Sequence, residues 1–118
     1  MAWLLLQYNG AYDRLVAQCD DAMKDALVAR TVQLRQKGNA ATYPVTEALG
    51  DGLFELRARA NRVRIRALFG FLPGKRIVFV WGGIKDQRRL PATTIRLARN
   101  LLLEVEAASE ALNVVNVH

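Results

Sequence analysis

Between Phe54 and Phe71 apolar residues alternate with arginines at a period of two, the signature of half-buried β-strands. Phe54, Leu56 and Ala58 alternate with Glu55, Arg57 and Arg59. After a turn at Ala60-Asn61, Val63, Ile65, Ala67, Phe69 and Phe71 fall on one face and Arg62, Arg64 and Arg66 on the other. Leu72-Pro73-Gly74-Lys75 has the order a type II turn wants, because proline presets the first central residue and glycine supplies positive φ at the second. Arg76 to Trp81 is apolar on both faces, the pattern of a central strand covered from both sides. Gly52 to Leu90 therefore reads as a three-stranded antiparallel meander with arginines along one of its surfaces.

The charge of the chain resides in this meander. The whole sequence is +6. Between residues 55 and 90, Arg57, Arg59, Arg62, Arg64, Arg66, Lys75, Arg76, Lys85, Arg88 and Arg89 face only Glu55 and Asp86, whereas the segments on either side are each net −1. Charged edge strands discourage unwanted pairing, which is one reading of such a run. Solvated faces normally mix signs, however. A row of mutually repelling arginines is better explained by a polyanionic partner, with nucleic acid first among them. Arginine suits phosphate because its planar fork donates two parallel hydrogen bonds.

A chain of 118 residues with 52% apolar and 24% charged content is expected to be one domain with its own core. The single cysteine, Cys19, lies in a helical pattern and reads as a buried, inert thiol. With one cysteine and one histidine there is no metal-ligand set, and neither metal nor small-molecule cofactor is expected. No apolar run approaches the length of a membrane span, and Trp3 to Leu6 lacks the flanks of a signal sequence, so the expected location is the cytoplasm.

Around the meander, Ala2 to Tyr8 reads as a short strand joining the same sheet, bounded by the Asn9-Gly10 turn. Ala11 to Lys37 is helical, with Leu15, Cys19, Met23, Ala26, Leu27, Arg30 and Leu34 on one side. Asp20-Asp21 suits an N-cap, which favours two helices over one, and Gly38 suits a C-cap. Asn39 to Asp51 is expected to be a connector anchored on the core by Tyr43, Val45 and Leu49. Gly82-Gly83 is expected to bend the chain into a basic loop, Ile84 to Leu90. Pro91 introduces a last helix through Ala107, with Ile95, Ala98, Leu102 and Val105 as its stripe and Leu101 and Leu103 widening it. Residues 111–118 read as a tail after a single domain at 1–110. The fold class is α+β: a strand and helical hairpin packed on an antiparallel meander, plus a C-terminal helix. The hairpin covers the apolar face, where each of Phe54, Leu56, Val63, Ile65, Phe69, Phe71 and Phe79 contributes roughly 1.5–3 kcal/mol. The arginine face stays partly open.

These residues resemble a family. Leu49-Gly-Asp-Gly-Leu-Phe-Glu-Leu-Arg57 is similar to the L-x-x-G-L-[YF]-E-L-R strand of RelE/ParE-superfamily toxins, in particular their phage-derived HigB-like branch. Ile65-Arg66-Ala67-Leu68-Phe69 resembles the [YF]-R-x-x-Y strand, with Phe69 in place of tyrosine. Ile77 to Lys85 followed by Arg88, Arg89, Pro91, Ile95 and Ala98 resembles the family's third strand and final helix, and Gly38 and Pro44 fit its upstream glycine–proline pattern. The resemblance spans roughly residues 30–105. It departs where the branch carries Lys-Lys and this chain has Lys85-Asp86.

The resemblance implies a RelE-like fold. It also implies a type II toxin that cleaves translated mRNA without metal, on the ribosome in many relatives, and is neutralised by a cognate antitoxin. Arg57, Arg66, Lys85 and Arg88 become the catalytic set, stabilising the charge that develops on the phosphorane. Arg59, Arg62, Arg64 and Arg89 become RNA-binding residues. Either Lys85 or Glu55 is the proton acceptor, or orientation of the bound RNA supplies most of the acceleration; Glu55 has the simpler role of an ion-pair partner of Arg57 or Arg66. His118 has no such role, and Trp81 is expected in the core rather than stacked on a base. Two other classes fit the same scaffold: a ParE-like toxin that inhibits DNA gyrase, and a non-catalytic nucleic-acid-binding module.

Overall fold

Strands that are apolar on one side require a cover, and the sequence offers two helical regions to supply it. In the computed structural model, which describes residues 2–85, 89–105, 107 and 111–117, they lie on opposite faces of one sheet. The chain runs β1 (Leu4–Tyr8), α1 (Ala11–Ala17), α2 (Asp21–Lys37), β2 (Thr46–Gly50), β3 (Leu53–Ala60), β4 (Val63–Leu72), β5 (Arg76–Lys85), α3 (Ala92–Val105), β6 (Leu112–Val114). The spatial order is β2-β3-β4-β5-β1-β6. β1 pairs parallel with β5 and the remaining neighbours are antiparallel. The α+β class, the first strand in the later sheet and the final helix are all as expected.

The register explains the two faces. Leu56 sits opposite Ala67 and Ala58 opposite Ile65, so these side chains share the face that α1 and α2 cover. Leu15, Leu27 and Leu34 pack there with Ile65, Phe69, Ile77 and Phe79, all buried. On the reverse face Leu53, Leu68, Val78 and Val80 meet Ala98 and Val105 of α3. β5, between β4 and β1, is thus covered on both sides, as its continuous apolar run requires. Trp81 packs against the α3 side of the core, also as expected.

Two helices form rather than one because Asp20 interrupts them. Its carboxylate accepts a hydrogen bond from the Met23 amide at 2.9 Å, satisfying one of the first-turn donors of α2. Gly38 closes α2 with φ 54°, a conformation that glycine adopts without a Cβ clash. At the start of α1, where Gly10 offers no side chain, the buried Gln7 reaches across and its Oε1 accepts from the Asp13 amide. Tyr12 is buried beneath α2 and bonds Thr31 at 2.7 Å. The Thr31 hydroxyl already donates to the Leu27 carbonyl, so Tyr12 must be the donor of that bond. Burial pushes the Tyr12 phenol up to about 12 and keeps it in the donating form.

Several expectations are corrected. Residues 46–50 of the supposed connector form β2, paired with β3 through Glu47–Glu55 and Thr46–Leu56. Val45 and Leu49 pack on the cores as anchors, but Tyr43 is 68% exposed. The turn after β3 is centred on Asn61-Arg62, not Ala60-Asn61. Both residues have positive φ, the two-residue hairpin geometry whose twist matches the flanking strands. Gly82-Gly83 does not bend the chain: β5 runs through to Lys85. The supposed tail supplies β6, which pairs with β1, and Val115 behind it is buried. Leu103 does not widen the stripe of α3, being 72% exposed.

Gly82 instead allows close approach. A Cβ there would stand 2.8 Å from the Leu15 Cβ of α1, while one on Gly83 would meet the Trp81 ring at 2.4 Å. Gly82→Ala is therefore expected to push α1 off the sheet and cost about 1–3 kcal/mol, read as a lower urea midpoint with little change in slope. Asp20→Ala, which removes the cap of α2, is expected to cost about 1 kcal/mol in the same assay.

Candidate nucleic-acid interface

α3 covers only part of its face of the sheet, and the arginines occupy the remainder. Antiparallel pairing places Arg57 directly opposite Arg66 and Arg59 opposite Arg64. Like charges at such positions repel, so this arrangement needs counter-charge close by. It comes from Glu55, which precedes Arg57 by two residues on the same face, and from Glu47, the β2 partner of Glu55.

The carboxylates stitch the arginines together. Arg57 Nη1 donates to Glu55 Oε1 at 2.9 Å and to Glu47 Oε2 at 3.0 Å. The second Glu55 oxygen, Oε2, lies 3.4 Å from Arg66 Nε. Glu55 and Arg66 are buried, with side chains 5% and 4% exposed, whereas Arg57 is partly open and Glu47 is 49% exposed. Burial pushes the Glu55 carboxyl above its usual range, against the opposing pull of Arg66 and Arg57. Burial likewise lowers the Arg66 guanidinium from its ordinary value, against the pull of Glu55. Arg66 keeps one buried donor, Nη2, without a hydrogen-bond acceptor among the described residues.

Two clefts meet at this cluster. One, of about 290 Å³, is lined by Arg57, Arg59, Arg64 and Arg66 together with Arg30 of α2 and the Tyr43-Pro44 loop. The other, of about 620 Å³, is lined by Glu47, Glu55 and Arg57, by Arg89, and by apolar Leu49, Leu90 and Ile95. Arg57 and Tyr43 belong to both, and the Arg57 guanidinium stands 5.2 Å from the centre of the Tyr43 ring.

The structure thus brings together Arg57, Arg59, Arg64 and Arg66 on one cleft, with Arg89 on the adjoining one. Lys85 is in register with Arg64 at the end of β5. Arg62 sits at the hairpin turn, exposed, not in the row with Arg64 and Arg66. Arg88 and His118 lie outside the described residues. Glu55 serves as ion-pair partner to both Arg57 and Arg66. With each oxygen engaged by a guanidinium, it is badly placed to accept a proton from a substrate.

Sequence reasoning missed Glu47, Tyr43 and Arg30. Glu47 was hidden because residues 46–50 read as a connector. Asp51-Gly52 between that segment and Leu53 was the available signal, since such a dipeptide flanked by alternating residues marks a hairpin. Arg30 was hidden because its helix packs on the opposite face and reaches the cleft only at the sheet's edge.

Breaking the buried pair from one side should be costly. Glu55→Gln strands Arg66 and is expected to destabilise the fold by about 3–5 kcal/mol, while the double variant Glu55→Gln/Arg66→Met recovers most of that loss. Chemical denaturation of the four proteins measures the cycle. The Glu55 carboxyl, followed by NMR, is expected to titrate above the usual carboxylate range, because burial disfavours its charged form. Its folded value lies above its unfolded one, so its contribution to stability is greatest below the unfolded value and declines as pH rises through the folded one.

Comparison with known proteins bears on this site. No curated protein matches the chain. A family model described as "Phage derived protein Gp49-like" matches residues 15–103, which takes in the end of α1, all of α2, the whole meander and most of α3. The match does not resolve a HigB-like branch within it. The chain therefore belongs to the Gp49-like family of phage-derived proteins, a family related to RelE-type toxins whose members are commonly the toxins of toxin–antitoxin systems.

Proposed function

We propose that this protein is the toxin of a toxin–antitoxin pair and acts as a metal-independent endoribonuclease on translated mRNA. The observation that carries the reading is the arginine cluster itself. Arg57 stands between two clefts, with Arg59, Arg64 and Arg66 lining one of them. Such a surface matches a flexible chain of phosphates better than a small metabolite.

Cleavage of RNA at a phosphodiester uses the neighbouring 2′-hydroxyl as nucleophile. The 2′-oxygen loses its proton and attacks phosphorus, the bond to the 5′-oxygen breaks, and that oxygen leaves with a proton taken from water. The products are a 2′,3′-cyclic phosphate and a 5′-hydroxyl. Extra negative charge appears on the non-bridging oxygens, where the Arg57 guanidinium is suited to meet it. Arg66, which lines the same cleft and keeps Nη2 without a hydrogen-bond acceptor among the described residues, is a further donor for that charge. Glu47 is our candidate for the proton acceptor, because it is half exposed, lines the cleft and is held by Arg57. This role replaces Glu55, whose oxygens are occupied. Lys85 and Arg88 keep the role that the resemblance implies, as further cations for the phosphorane. Arg59, Arg64 and Arg89 hold phosphates on either side, and Arg62 at the hairpin turn extends that contact.

The excess of positive charge on this face also explains a protein partner. The antitoxin of such a pair has to mask the cluster, and an acidic segment laid over Arg57, Arg59 and Arg64 does so.

The test is brief induction in cells with mapping of new RNA 5′-ends. The wild type is expected to produce ends within coding sequences. Arg57→Ala and Glu47→Gln are each expected to lower cleavage by about 10²-fold or more. Both positions are partly exposed, so these variants should keep the fold. Growth arrest with gyrase-dependent DNA breaks and no new RNA ends would overturn the nuclease reading in favour of a gyrase inhibitor. No arrest and no ends would leave a binding module.

A further inference from the structure

Tyr43 stands out among the aromatic residues. Trp3, Tyr8, Tyr12, Phe54, Phe69, Phe71, Phe79 and Trp81 are all buried or partly buried in the two cores. Tyr43 is 68% exposed. It lies between the end of α2 and β2, followed by Pro44, at the point where the two clefts join. An isolated surface tyrosine needs no explanation, but this one is held in place. The Arg57 guanidinium, itself fixed by Glu47 and Glu55, stands against the ring at 5.2 Å from its centre. The cation takes part of the ring's surface, and the exposed remainder fronts clefts lined by phosphate-binding side chains.

We infer that Tyr43 is a stacking platform for one nucleobase of a single-stranded RNA, with the adjoining phosphate held on Arg57. The inference rests on the nucleic-acid reading above and adds a residue that reading does not need. Single strands are bound by combining cations that follow the backbone with aromatic faces on which bases lie. The geometry supplies both parts from one contact, since Arg57 touches Tyr43 and lines both clefts. The apolar part of the larger cleft, Leu49, Leu90 and Ile95, offers the base a second surface away from water. Stacking is tolerant of base identity, so Tyr43 adds affinity and position rather than a strict sequence preference.

The experiment compares fluorescently labelled RNA pentamers by anisotropy: one with all bases, one carrying a single abasic ribose scanned through each position. Tyr43→Ala is expected to weaken the intact pentamer by about tenfold, the lower part of the range for one stacked base. At one abasic position the wild type loses the same factor, and Tyr43→Ala loses nothing further. Tyr43→Trp is expected to bind as the wild type does. The inference is overturned if Tyr43→Ala weakens abasic and intact pentamers equally at every position, or leaves both unchanged, while the wild type still binds. If neither pentamer binds the wild type, the nucleic-acid reading itself fails and this inference with it.

Discussion

A single buried carboxylate lets this face of the sheet exist. Antiparallel register forces Arg57 against Arg66, and without an anion between them two guanidiniums would share a poorly solvated surface. Glu55 divides its oxygens between the two, and Glu47 joins Glu55 on Arg57 Nη1. The cluster is then rigid at its buried end and open at its exposed end. Preorganised charge of this kind is what binding a polyanion requires, because the side chains need not be ordered when the ligand arrives.

The layers around the sheet decide where that cluster can be. α1 and α2 cover one apolar face, and α3 takes part of the other, over β5 and the adjoining parts of β4 and β3. α3 is tied to the β2–β3 hairpin as well: Arg99 donates to the Leu49 carbonyl and pairs with Asp51, while Tyr8 donates to Glu104 nearer the helix's C-terminal end. What remains uncovered is the outer part of β3 and β4, where the arginines lie. Fold and charge are therefore one design: the helix that completes the second core also sets the boundary of the basic surface.

Much of this was legible. The period of two in β3 and β4 placed every apolar and basic residue from 54 to 66 on its correct face, apart from Arg62 at the turn. Asp20 and Gly38 marked the ends of α2 because capping is a local chemistry. Less legible were features that depend on partners distant in sequence. β6 is three residues long and forms because β1 offers an edge, not because Leu112–Val114 has a strong pattern of its own. Gly82-Gly83 looks like a hinge in sequence, yet in β5 the missing Cβ atoms make room for Leu15 and Trp81. Glu47 and Tyr43 belong to the cluster only through the β2–β3 pairing, so a reading that missed β2 lost both.

In the mechanism proposed above, the Glu55-braced arginines hold a phosphodiester while its neighbouring 2′-hydroxyl attacks. The most direct measurement is to add the purified protein to a translation extract with one defined mRNA and determine the chemical nature of the new 3′ ends. Fragments ending in a 2′,3′-cyclic phosphate are expected, with loss of a given cut when that single ribose carries a 2′-O-methyl group. Intact mRNA, or fragments that end in a 3′-hydroxyl, would contradict that mechanism.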